Sequence, residues 1–169
     1  LTATNSEISV TWSLNTASAS ASWHRVGVAG PAPAGATQAQ VLLSSTETGA
    51  AVFHYWENVY LGLPIRTTGN LFAFGTESAE IDTSGWAPDV NAAVSRQVPA
   101  VSWSISNYLV GGHVLAVTAS GAGNASAVTV DRPTVTPGTD YLAYVYLNPP
   151  TLAADTWVEL RYYDGNGNQ

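Results

Sequence analysis

Cysteine is absent from this 169-residue chain, and so is lysine. Without cysteine there is no disulfide, no zinc–thiolate site and no thiol catalysis, so stability must come from a packed core or from neighbouring chains. Without lysine, five arginines face twelve acidic residues and the formal charge is −7. A phosphate backbone or an anionic lipid surface is held by a basic patch, so nucleic acid and membrane headgroups are poor partners. Neutral ligands such as sugars are compatible with this balance. No apolar run approaches the roughly 18 residues of a membrane helix, so no membrane insertion is expected. The chain opens at Leu1 with neither a basic start nor a signal-like apolar stretch, and reads as a processed or excised piece.

Catalytic signatures are equally scarce. His24, His54 and His113 are dispersed and never stand in H-E-x-x-H spacing, and no G-x-S-x-G elbow occurs. Glu47, Glu57, Glu77, Glu80 and Glu159 could supply a carboxylate pair for glycoside hydrolysis, but nothing in the sequence sets their separation. The expectation is a protein that is not an enzyme.

What the chain does have is 46% hydrophobic residues, fifteen glycines and nine prolines, with abundant Ala, Ser, Thr and Val. That composition points to strands joined by turns, an all-β class with one real core. Alternation of period two marks strands at residues 8–12, 39–43, 51–56 and 113–118, with further strands over 125–130, 140–147 and 156–163. Pro137-Gly138 and Asn148-Pro149-Pro150 interrupt them, because proline brings no amide donor to a ladder. Gly27 to Ala36 reads as a flexible, proline-interrupted connection. Asp164-Gly165-Asn166-Gly167 is a tight-turn signal whose return strand is missing, which predicts a partner strand elsewhere. Leu63 to Gly69 looks like a linker, giving blocks 1–63 and 70–169 joined through 64–69.

A sugar site needs aromatic faces to stack on pyranose rings and a few planar hydrogen-bonding groups. Along 157–163 one face carries Val158, Leu160 and Tyr162 and the other carries Trp157, Glu159, Arg161 and Tyr163. Tyr144, Tyr146 and Asn148 alternate against Tyr141, Ala143 and Val145, so the preceding strand is expected to add Tyr144 and Tyr146 to the same platform. Such aromatic and Arg/Glu pairs also dress any solvated sheet. Trp12, Trp23 and Trp86 read as core or edge plugs, and Trp103 and Tyr108 as loop contact residues.

The second block contains Asn70-Leu71, Glu80, Gly85-Trp86, the run Gly112 to Thr118, Pro137-Gly138-Thr139-Asp140-Tyr141 and Tyr162-Tyr163-Asp164-Gly165. In that order these resemble the N-terminal half of carbohydrate-binding modules of the family 4 and 9 type, jelly rolls of the galactose-binding-like group. The first block, with Trp23-His24-Arg25, Ala32 to Ala36 and Tyr55-Trp56-Glu57-Asn58-Val59-Tyr60-Leu61, resembles the C-terminal half of the same family. The halves stand in reversed order. A jelly-roll β-sandwich is therefore expected, either circularly permuted and closed within one chain or completed by a neighbouring copy.

The resemblance implies a structural calcium, with Glu80 and Asp82 near the first acidic position and Glu57 near the last-strand position. It implies a non-catalytic glycan-binding or adhesion module, extracellular or on a virion surface such as a phage tail, with a cell-surface or extracellular glycan as partner. Two alternatives stand beside it. One is a structural tail or fibre component that contacts other copies or virion proteins, and the other is an accessory domain of a polysaccharide-degrading enzyme.

Overall fold

A computed structural model describes residues 7–13, 16–17, 23–47, 49–64, 69–98, 111–148 and 155–165, and among them the chain is an antiparallel all-β sandwich. The first sheet runs β1 (Glu7–Trp12), β11 (Asp155–Asp164), β4 (Ala36–Glu47), β9 (Gly123–Thr129), β6 (Trp86–Val90), with the short β2 (Thr16–Ala17) also pairing β11. The second runs β3 (His24–Pro31), β10 (Asp140–Asn148), β5 (Phe53–Gly62), β8 (Val114–Ala119), β7 (Ala92–Gln97). One helical turn, α1 (Phe74–Glu77), stands before β6.

Strands from before residue 63 and after residue 70 interleave in both sheets. β4 lies between β11 and β9, and β5 lies between β10 and β8. The two blocks thus build one sandwich within one chain. β11 is flanked on both sides by strands of its own chain, β1 and β4, before the turn signal at Asp164-Gly165 is reached. Residues 65–68 of the linker and 166–169 lie outside the described residues. Just past the linker, Asn70 docks the chain onto the end of β5: its Oδ1 accepts from the amides of Leu61 and Phe72, and its Nδ2 donates to the Val59 carbonyl at 2.7 Å.

The core follows from the alternation. Inward positions of β4 (Ala39, Val41, Leu43), β10 (Ala143, Val145, Leu147) and β11 (Val158, Leu160, Tyr162) meet between the sheets, where each Leu or Val contributes roughly 1.5–3 kcal/mol of transfer free energy. Trp86 closes one edge, buried, with its indole N–H donating to the Thr76 carbonyl at 3.0 Å. Trp23 is only half-buried, beside a smaller apolar cluster, whereas Trp103, Tyr108 and the side chain of Trp12 lie outside what is described.

Gly27 to Pro31 is not a flexible connection. It belongs to β3, where Val26 and Val28 point inward while Arg25, Gly27 and Ala29 are exposed. Among the described strands of this sheet β3 pairs with β10 alone, and a proline ending an edge strand leaves no ladder bond unmade on that side. The true turn is Ala32 to Gly35, and it meets the turn of the other block: Ala32 donates to the Thr139 carbonyl, and Gly138, at φ 77°, donates to the Ala32 carbonyl at 2.8 Å. The Tyr141 hydroxyl accepts the Thr136 amide and pins that turn to the start of β10. The segments that carry the resemblance in each half are thus packed on one another.

Candidate functional site

The sandwich has two outer faces, and both carry aromatic side chains. On the first sheet, β11 presents Trp157, Glu159, Arg161 and Tyr163 outward, as its period-two pattern predicts. These residues satisfy one another. The Trp157 indole N–H donates to Glu159 Oε1 at 2.9 Å, and Arg161 Nε and Nη2 reach Glu159 Oε2 at 3.0 and 2.9 Å. Arg161 also lies 3.5 Å from Asp89 on β6 and 3.6 Å from Glu7 on β1. Burial lowers the affinity of this guanidinium for its proton, but the hydrogen bond and charge of Glu159, with Asp89 and Glu7, outweigh it and raise the pKa. Tyr163 donates to Gln40 Oε1 at 2.8 Å, and the Arg132 guanidinium sits 4.0 Å from the centre of its ring. Gln40 in turn donates to the Thr129 carbonyl. The Tyr163 ring and the hydrogen-bonding groups of Trp157, Glu159 and Arg161 are thus engaged within the protein.

Tyr144 and Tyr146 do not join that face. β10 is hydrogen-bonded to β3 and β5 in the opposite sheet, so the two tyrosines point away from Trp157 on the far side of the sandwich. Both strands show their expected alternation, but a single platform would need them paired side by side. The chain instead crosses between sheets after Asn148, where the two prolines follow.

The outer face of the second sheet is richer in aromatics than sequence spacing indicated. Tyr60 of β5 stacks on Tyr144 with centroids 4.9 Å apart and planes at 15°, Tyr146 meets Tyr144 edge-on at 6.2 Å, and the Arg25 guanidinium lies 5.3 Å from the Tyr144 ring centre. Further along β5, Phe53 and Tyr55 stand 5.2 Å apart, with Trp23 packed beside them. The Tyr55 hydroxyl donates to Gln97 Oε1 at 3.2 Å across the sheet, and burial raises its pKa strongly. Asn148, opposite Tyr55 in the ladder and 1% exposed, has a side-chain carbonyl with no hydrogen-bond partner among the described residues.

A bulge makes this face. Tyr144 pairs with Tyr60 but Tyr146 pairs with Glu57, and Asn58 between them takes φ 56°. The extra residue resets the alternation, so Trp56 and Val59 point into the core while Glu57 and Tyr60 both face outward. Strict period-two alternation breaks at this point and does not place Tyr60 on this face; the signal in the sequence is an asparagine, tolerant of the left-handed region, inside an aromatic strand.

The three carboxylates expected to hold calcium are committed elsewhere or apart. Glu80 Oε1 accepts the amides of Gly112 and His113, each at 2.9 Å, and its Oε2 lies 3.4 Å from His113 Nδ1. Burial pushes the Glu80 carboxyl up, and these hydrogen bonds more than reverse it, leaving it below its ordinary value. Asp82 accepts from the Ser84 amide and hydroxyl at 2.9 and 2.7 Å, which lowers its pKa. Glu57 is buried on β5, and among the described residues no group of three His, Asp or Glu side chains could hold a metal ion. Among the described residues these carboxylates do not come together as a calcium cage.

His54 is buried in the core end of β5, its Nδ1 3.0 Å from Glu47 Oε1, while His24 lies half-buried at the start of β3. No family model, curated protein or solved structure matches this chain. The class it can be assigned is the one its fold defines, an antiparallel β-sandwich.

Proposed function

We propose that the protein is a non-catalytic glycan-binding module, extracellular or carried on a virion surface, that takes a neutral saccharide on the outer face of its second sheet. The observation that carries this reading is the half-buried Tyr146, set edge-on against the Tyr60–Tyr144 stack, with the exposed Arg25 beside the Tyr144 ring. A pyranose offers CH faces to rings and hydroxyls to planar amides and guanidinium groups, so this set supplies both halves of the recognition. Single sites of this kind bind weakly and become useful by repetition. The likeness of both sequence blocks to carbohydrate-binding modules of the family 4 and 9 type supports the same reading.

The face of β11, the first choice from sequence, is the weaker candidate because its polar groups already bind each other. A glycan array followed by affinity measurement on a retained polysaccharide tests the assignment. Tyr146→Ala should weaken retention by about tenfold, as expected for loss of one stacking anchor. A Trp157→Ala, Tyr163→Ala double variant should leave it unchanged. Retention lost in the second variant and kept in the first would move the site to the other sheet, and no retention on any glycan would remove the reading.

One observation favours the rival reading as a structural tail, fibre or virion component. Leu71, Phe74 and Ile81 are exposed, 39%, 57% and 67%, on a single loop of an otherwise acidic surface. An accessory role in a polysaccharide-degrading enzyme would use the same saccharide face and leave the catalysis to another domain.

A further inference from the structure

The loop from Gly69 to Trp86 turns one side chain in and another out. Phe72, Thr76, Ala79 and Trp86 are buried beneath it, whereas Leu71, Phe74 and Ile81 are exposed. It is held firmly. Thr76 receives the indole proton of Trp86 on its carbonyl and gives its hydroxyl proton to Asp131 at 2.7 Å. Arg96 donates from its guanidinium to the carbonyls of Ala79 and Glu80, and the Glu80 carboxylate takes the Gly112 and His113 amides. The exposure is therefore built in by a fixed loop. Val98, two residues beyond Arg96, and Val130, whose amide donates to the Gly85 carbonyl, are also exposed, so among the described residues five of the six large exposed hydrophobics stand on this loop or beside it.

Charge around the loop is mainly acidic. Glu77, Glu80, Asp82 and Asp131 carry carboxylates, and among the described residues Arg96 has its guanidinium against the loop's own carbonyls while Arg132, next to Asp131, has its own over the Tyr163 ring. A second copy would bring the same acids and no lysine, and the chain already carries a formal −7. An anionic lipid surface is repelled in the same way.

We propose that this loop is a docking surface for a different protein, one that offers an apolar centre flanked by Lys or Arg. Leu71, Phe74 and Ile81 form the apolar contact, and the surrounding carboxylates select the basic rim and speed the encounter. The residues of this surface are not those of the proposed saccharide site, so either assignment can fail alone.

The test uses the whole chain and two helical peptides of equal apolar content, one built from Leu and Lys and the other from Leu and Glu. By isothermal calorimetry the Leu/Lys peptide should bind at least about tenfold more tightly than the Leu/Glu peptide, and salt should weaken it. Phe74→Ser with Ile81→Ser should weaken that binding by about tenfold, and Glu77→Gln with Asp82→Asn by about threefold, with unchanged far-ultraviolet dichroism. Equal binding of the two peptides, binding of neither, or undiminished binding by the serine variant would overturn the proposal. Sedimentation velocity showing self-association that the serine variant abolishes would assign the loop to a second copy instead, and binding to anionic phosphatidylglycerol vesicles would assign it to a membrane; either result overturns the proposal.

Discussion

Tyr60 lies parallel to Tyr144 across the β5–β10 ladder, 4.9 Å between ring centres, and Arg25 stands beside the Tyr144 ring. Both tyrosines are 9% exposed, so they form the base of the face, and the half-buried Tyr146 is the ring left accessible to a ligand. Tyr60→Ala should therefore cost stability, about 2 kcal/mol from lost packing and stacking, whereas Tyr146→Ala should cost less than half of that. Urea unfolding of the two variants checks the order.

The strand β11 offers an internal control for face assignment. Leu160 is fully buried between the sheets, and Leu160→Ala should destabilise by about 3 kcal/mol through lost transfer energy and the cavity left behind. Trp157, three residues earlier on the outer face and half-buried, should lose about 1 kcal/mol on truncation to Ala. Chemical denaturation would show the reverse order if the strand were rotated by one residue.

Arg161 ties three strands together by facing Glu159, Glu7 and Asp89. Replacing it with Leu leaves three neighbouring carboxylates without their cation. The expected loss is about 2 kcal/mol at low salt, smaller at high salt as the remaining repulsion is screened. Thermal melts at two ionic strengths measure both effects.

Gly111 takes φ 73°, and a Cβ there would lie 2.1 Å from Glu80 Oε1. Gly111→Ala must therefore displace the carboxylate that holds the Gly112 and His113 amides, in addition to straining the backbone. A loss of about 2 kcal/mol is expected, with faster hydrogen exchange at those two amides. Exchange unchanged in a destabilised variant would show that the clamp plays no part.

Acid should unfold this protein through two carboxylates. Burial raises the pKa of Glu47, but hydrogen bonds from His54 and Ser45 and the charge of His54 bring it below the ordinary 4.5, and Glu80 is lowered likewise by Gly112 and His113. A carboxyl whose folded pKa is depressed stabilises the fold above its unfolded pKa, and that stability is lost as pH falls through the folded value. The melting temperature should thus hold down to about pH 5 and fall below it. Glu47→Gln should melt lower than wild type at neutral pH and lose less on acidification; parallel curves would exclude Glu47 as a contributor.

The sequence by itself determined the class of fold and the direction of most side chains. Period-two alternation depends only on the pleat of a single strand, so β1, β8, β9, β10 and β11 and the two faces of β11 were legible without a partner in view. Edges were harder to read. β6 and β7 carry no alternation that marks them, and glycine and proline punctuate most of β3 so that it reads as a connection. Tertiary structure alone decided which strands are neighbours. Tyr144 and Trp157 lie on opposite outsides of the sandwich because pairing joins residues far apart in the chain, β10 to β3 and β5, β11 to β1 and β4. It also decided which residues share the outer side of the second sheet, since the bulge at Asn58 turns Glu57 and Tyr60 to that side together, a shift that local alternation does not encode.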